Sequence, residues 1–220
     1  YREMKISIHQ PNFLPYLGFF DKCDYSDIIV LYDSTQFKKN DFQNRNKLRT
    51  KKGWQWLTVP IEYRFRDKIN EIKISKNTYW KGKHLDIIKE NYSRSAYYVN
   101  YIEKIKTIYA EKWENLSDLN VALIKLLLNE IGINKRVILS SSLDITQMST
   151  HALVDICKKL GGKIYISGID GKNYLDINLF KKENIKLKFQ EYKHPTYKQV
   201  FKGFEPFMSI LDLLFNEGPN

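Results

Sequence analysis

The sequence predicts an α/β protein: a Rossmann-like open, mainly parallel sheet with a β-hairpin and a helical insertion, read as a single domain over residues 1–220. Three observations predict it. Short β-branched runs at both ends of the chain are separated by stretches of helical length, which is the pattern of parallel strands joined by right-handed crossovers. Residues 79–132 instead repeat apolar residues at intervals of three and four, as packed helices do. Between these regions, residues 54–75 carry two strand-like runs around a polar turn, the composition of a hairpin.

The elements follow in order. KISIH (5–9) and IIVLYD (28–33) flank a helical stretch from Pro15 to Tyr25, and Pro15 sits where a first helical turn tolerates proline. WQWLTVPI (54–61) and EIKIS (71–75) are expected to pair across YRFRDK. HLDIIKENY, YYVNYIEKIKTIYAEKW and SDLNVALIKLLLNEIGI read as three helices, with Asp118 near the start of the third and Gly132 at its end. Then come VILSS (137–141), a helix from Thr150 to Leu160 closed by Gly161-Gly162, KIYIS (163–167), a short helix within SGIDGKNYLDINLFKKEN, and KLKFQEY (186–192). In such sheets ligands bind beyond the carboxyl ends of the strands, where the strand order reverses. His9 and Gln10, Asp33 and Gln36, Ser140 to Ser142, and Ser167-Gly168 all fall at those ends.

Composition narrows the function. With 43% hydrophobic residues the chain can bury a full core. Cys23 and Cys157 lie far apart, so neither a metal clip nor a disulfide is expected and both read as small buried hydrophobes. There is no apolar run of about 18 residues and no charged leader before an apolar stretch, so the expectation is a cytoplasmic protein without a membrane span. The net charge is +11, but its 36 basic residues are scattered without a dominant block. Nucleic acid is therefore not the expected partner; a small anionic ligand, such as a nucleotide or nucleotide-sugar, is.

Four stretches carry chemistry. In HQPNFLPYLGFFDK, His9 at a strand end beside a helix start can bond a phosphate or carbonyl, with Gln10 beside it and Lys22 as a cation two turns along the helix. In YDSTQFKKNDFQNRNKLRT, Asp33 is placed to bind a ribose hydroxyl or act as a base, Gln36 follows, and Asn44, Arg45, Asn46 and Arg49 can clamp an anion. SGIDGKNYLD offers Ser167, Gly168, Lys172 and Tyr174 after a strand; its glycines can free backbone amides for phosphate, although the P-loop spacing is absent. Near the C-terminus come His194, Tyr197 and Gln199, then a helix with Phe204, Phe207, Ile210, Leu211, Leu214 and Phe215 on its apolar face. Ser209 and Asp212 accompany that face, and a buried Asp212 demands a partner, His9, His194 or an arginine. His84 and His151 lack such context and read as surface or structural residues.

Together HQPNFLPYLGFFDK, D-S-T-Q with N-R-N downstream, W-L-T-V-P, YISGIDGKNYLD and HPTYKQVFKGFEPFMSILDLLFNEGP resemble the WbqC-like protein family over nearly the whole chain. The resemblance implies an enzyme of bacterial surface-polysaccharide and O-antigen biosynthesis, one that attaches an acyl or aminoacyl group such as glycine to a nucleotide-linked amino sugar. The site residues it implies are His9, Gln10, Asp33, Asn44, Arg45, Asn46, Gly168, Tyr174, His194, Tyr197, Gln199, Ser209 and Asp212. The opening also resembles that of pantothenate synthetases, which activate a carboxylate with ATP. Here Gly18 is followed by Phe19 and no histidine occupies the helix, so this likeness bears on fold more than on ATP use.

The expected reaction is amide formation on a dTDP- or UDP-linked amino sugar, from ATP plus a carboxylate or from an activated acyl or aminoacyl donor. It calls for a base, His9 or His194, oriented by Asp33 or Asp212, and for Arg45, Arg49 or Lys172 on phosphates. The alternatives are a non-catalytic nucleotide-sugar binding protein and a nucleic-acid binder acting through the basic charge.

Overall fold

The computed structural model describes residues 2–76 and 79–218; Tyr1, Asn77, Thr78, Pro219 and Asn220 lie outside the described residues. In chain order the strands are β1 (Lys5–His9), β2 (Ile28–Leu31), β3 (Arg45–Thr50), β4 (Gly53–Thr58), β5 (Ile61–Glu62), β6 (Lys73–Ile74), β7 (Arg136–Leu139), β8 (Ile164–Ser167) and β9 (Lys186–Phe189). The helices are α1 (Leu17–Asp24), α2 (Trp80–Tyr92), α3 (Tyr98–Ala110), α4 (Leu116–Glu130), α5 (Ser149–Lys159), α6 (Ile177–Lys182) and α7 (Ile210–Glu217). Two compact units emerge. Tyr1–Gln10, Gly18–Thr35 and Ile133–Lys193 form a sheet unit, and Pro11–Leu17, Gln36–Gly132 and His194–Asn220 form a helical unit.

The sheet unit holds the open parallel α/β sheet that the sequence predicts, in the order β7-β2-β1-β8-β9. The chain steps outward from β1 to β2 and β7, returns past β1 to β8, and ends at β9. The order therefore reverses between β1 and β8, the position where open sheets bind ligands. Right-handed crossovers running in opposite directions put α1 on one face and α5 and α6 on the other. Side-chain alternation agrees: Ile6, Ile8, Ile28, Val30 and Tyr165 enter a core with Leu153, Val154, Ile156 and Cys157 of α5 and Phe180 of α6. Ser7, His9, Ile29 and Leu31 then point to the face of α1. Both cysteines are buried, which pushes each thiol up to about 12 and leaves them inert packing residues.

In the helical unit, α2, α3 and α4 occupy the predicted helical stretch, and two small antiparallel hairpins precede it. Here the structure departs from the sequence reading. WQWLT does not pair with EIKIS; it pairs with Arg45–Thr50, a stretch that the sequence makes look like a charged loop. Only Leu48 on β3 carries an apolar inward side chain, with Asn46 beside it, so the two-residue period of that strand is nearly silent. The 71–75 run pairs only briefly, Ile61–Glu62 with Lys73–Ile74. The final helix starts at Ile210, leaving Phe204 and Phe207 in the preceding loop, where Phe207 takes φ +60°.

Candidate functional site

At the carboxyl end of β1 the His9 ring rests edge-on against Phe19, with centroids 4.9 Å apart. Nδ1 lies 2.9 Å from the carbonyl oxygen of Gln10. A carbonyl only accepts, so the Nδ1 proton is fixed there and Nε2 carries the lone pair. Nε2 takes no hydrogen-bond partner among the described residues. Burial, and next the nearby Lys22 charge, push the imidazole down to about 3, with the Gln10 carbonyl opposing them. His9 is thus a neutral, oriented hydrogen-bond acceptor. Lys22 is itself only 4% exposed and donates to the Ile8 carbonyl at 3.3 Å.

Asp33, just beyond β2, is fully engaged. Its Oδ1 accepts from Ser140 Oγ and from Ser141 N, both at 2.9 Å, and its Oδ2 accepts from Ser141 Oγ at 2.6 Å. Ser34 Oγ adds a 2.7 Å bond to Ser140 Oγ. The carboxylate ties the end of β2 to the turn after β7, with both oxygens spent on that turn. The serines of that turn were legible as strand-end residues; their tie to Asp33 was not.

Past β8, Ser167 Oγ donates to the Gly168 carbonyl at 3.0 Å, and a 3-10 turn, Ile169–Asn173, follows. The two glycines of this stretch have different reasons to be there. A Cβ on Gly171 would come within 2.2 Å of Ser167 Oγ and 2.9 Å of Leu175 Cδ1, whereas one on Gly168 would meet nothing within 4 Å. Gly168 also has φ −64°, which any residue adopts, so the chain itself imposes no need for glycine there. Gly171→Ala is therefore expected to cost about 1–3 kcal/mol in urea unfolding. Gly168→Ala should leave the midpoint unchanged and show its effect only in ligand affinity. Tyr174 is 69% exposed, and the Lys172 ammonium lies 5.3 Å from the Phe189 ring centroid.

The helical unit gathers a second group of predicted residues, now as one buried network. Asp212 Oδ1 accepts from Tyr92 OH at 2.8 Å, and Oδ2 accepts from Tyr197 OH at 2.7 Å and Gln199 Nε2 at 2.8 Å. Tyr92 OH in turn accepts from Arg49 N at 2.9 Å, and Arg49 Nε donates to Gln199 Oε1 at 3.1 Å. The partners of Asp212 are two tyrosines and a glutamine, not the expected histidine or a direct arginine; Arg49 reaches it through Gln199 and Tyr92. Burial pushes the carboxyl up, against the Tyr197, Tyr92 and Gln199 hydrogen bonds. Arg49 directs three more of its five donors to the carbonyls of Thr50, Gly53 and Lys202. Tyr92 was not singled out in the sequence, because at its helical position it is indistinguishable from an apolar packing residue.

The other predicted residues of this unit also hold backbone. His194 Nδ1 donates to the Pro195 carbonyl at 2.8 Å and Nε2 accepts from Phe207 N at 3.1 Å, bracing the left-handed residue. Asn46 Nδ2 donates to the carbonyls of Phe13 and Leu14, the latter at φ +42°, and Asn44 Nδ2 donates to Val59. Gln36 forms a bridge with Lys68, and Ser209 Oγ caps α7 by accepting from Leu211 N. Arg45 donates to the Asn40 carbonyl and stacks 4.1 Å over the Trp56 ring. His84 is buried as a structural residue, donating to Thr58 O and accepting from Tyr109 OH, and burial pushes it down to about 4. His9, Lys22, Gly168, Lys172 and Tyr174, which keep unspent chemistry, belong to the sheet unit; in the helical unit the buried Arg45 Nε also has no hydrogen-bond partner among the described residues.

The family model described as the WbqC-like protein family matches residues 10–220. The chain is 35% identical over 218 residues to the uncharacterized protein Rv1507c of Mycobacterium tuberculosis, covering 97% of this chain and 94% of that relative. No solved structure matches the chain significantly. No helix among the described residues is long and apolar enough to cross a membrane.

Proposed function

The chain belongs to the WbqC-like protein family, and on that premise we propose that it is a cytoplasmic enzyme of bacterial surface-polysaccharide biosynthesis that forms an amide on a nucleotide-linked amino sugar. The observation that supports this reading most is His9: a neutral imidazole, oriented through Nδ1, presenting an unshared Nε2 at the strand-order switch of an open parallel sheet. A dTDP- or UDP-linked amino sugar enters beyond β1 and β8, with Lys172 and Tyr174 on the nucleotide side. The amine nitrogen attacks the acyl carbon of an activated acyl or aminoacyl donor, or of a carboxylate activated by ATP. The new C–N bond replaces the bond to the leaving group, and the nitrogen loses one proton. In this reading Nε2 of His9 accepts that proton. Asp33 keeps the neighbouring turn in place.

A base held at about 3, by burial first and the Lys22 charge second, is weak at neutral pH. That observation favours a second reading, a non-catalytic nucleotide-sugar binding protein. Mass spectrometry of the protein incubated with UDP- and dTDP-amino sugars, with glycine and ATP or with activated donors, separates the two. The enzyme reading predicts a sugar nucleotide heavier by one acyl or aminoacyl group, with the rate down at least 100-fold in His9→Ala. Tight binding without product from any donor supports the binding protein instead, and no binding at all sinks both.

A further inference from the structure

The sheet unit buries a cation without a counter-ion. Lys22 is 4% exposed, and among the described residues it forms no ion pair; its one hydrogen bond is to the Ile8 carbonyl, at 3.3 Å. An ammonium has three donors, and leaving two of them dry costs far more than exposing a lysine does. The direction of that amine follows from the ladder. The carbonyls of Lys5 and His9 accept from Asp27 N and Tyr32 N, on the β2 side of β1. Alternate residues of a parallel strand face opposite neighbours, so the Ile8 carbonyl faces β8. Pairing of β1 with β8 ends at Ser7 and Ile166, one residue earlier. Lys22 Nζ therefore sits where β1 and β8 part, at the level of Gly168, whose missing side chain leaves open space.

We propose that Lys22 anchors one anionic oxygen group of the ligand, a phosphate or a carboxylate, in the opening between the carboxyl ends of β1 and β8. This rests on the ligand site proposed above and adds which group of the ligand is gripped and by what. Burial pushes the ammonium down to about 8, so it still carries its charge at neutral pH. An anion there supplies the missing acceptor and offsets the Lys22 charge, which after burial is the second cause that lowers His9. The two sources of such a group are the diphosphate of the nucleotide and the carboxylate of the acyl donor.

Melting temperatures of the wild type, Lys22→Met and the exposed-helix control Lys125→Met, at fixed pH and ionic strength, test this with sodium pyrophosphate and with sodium acetate as probes. The anchor predicts that at least one anion raises the melting temperature of the wild type and the control, and that Lys22→Met binds it roughly 10- to 100-fold more weakly. A pyrophosphate response assigns the group to the nucleotide, and an acetate response assigns it to the donor. Without any anion, Lys22→Met should melt above the wild type, since it removes an unpaired buried charge. A lysine that merely tethers Ile8 would give the reverse: a lower melting temperature and an undiminished anion response. Either an equal response in Lys22→Met or none in the wild type overturns the anchor. Adding a UDP-amino sugar to the same three proteins keeps the two ideas apart, because undiminished binding to Lys22→Met leaves the site standing without its anchor.

Discussion

Asp212→Ala is expected to cost about 3–5 kcal/mol of unfolding free energy. The alanine would leave Tyr92 OH, Tyr197 OH and one proton of Gln199 Nε2 without an acceptor in a place where Asp212 itself is 0% exposed. Because Tyr92 comes from α2, Arg49 from β3 and Asp212 from α7, the loss would loosen three elements together. Asp212→Asn keeps one acceptor and should cost less than alanine. Urea unfolding at neutral pH reads the effect as a lower midpoint with an unchanged slope. A cost under about 1 kcal/mol would mean that the network is not what holds these elements. The same network joins Tyr197, Gln199 and Arg49, three residues that stand out in the sequence, through hydrogen bonds to Asp212 or to one another.

The second large effect is loss of stability in acid. His9 is held at about 3 and His84 at about 4, both from an ordinary 6.5, by burial first in each case. As pH falls below 6.5 the unfolded chain takes up two protons that the folded chain refuses. The unfolded state then binds more protons, so stability rises with pH across this window and falls as pH drops through it. Each histidine contributes roughly 3–5 kcal/mol by pH 3–4. His84→Gln should flatten the curve between pH 6.5 and 4, and His9→Gln between 6.5 and 3. Lys22 follows the same sign: lowered to about 8 from 10.5, it makes stability rise from pH 8 upward. Above about 9 the cysteines, held near 12 in the fold, reverse the slope, so Lys22 is read cleanly only between 8 and 9. A wild-type curve flat between pH 6.5 and 4 would contradict the burial of both imidazoles.

Much of the sheet unit is legible in the sequence because parallel strands buried on both faces announce themselves. IIVL of β2 is buried at all four positions, as is IYIS of β8, and the helices between have the length that crossovers need. The strand Arg45–Thr50 is not legible, because five of its six side chains are polar and Asn46 takes an inward place that a hydrophobe would have advertised. For the site, residue type pointed to polar residues at strand ends but not to which of them stay unspent. His9 and His194 look equivalent in the sequence, each followed by proline within two residues. Only the fold separates them: Phe207 N occupies Nε2 of His194, while that of His9 takes no partner among the described residues. Likewise Arg49 reads as a better anion clamp than Lys22, yet its guanidinium is consumed by carbonyls and the lysine is not.

The most direct measurement is amide chemical-shift mapping of the 15N-labelled protein titrated with a UDP- or dTDP-linked amino sugar. The site proposed at the strand-order switch predicts saturable shifts at His9, Gln10, Lys22 and the stretch from Gly168 to Tyr174, with the Asp212 network unmoved. Shifts confined to residues 45–58 and 194–212, with the ends of β1 and β8 silent, would contradict it.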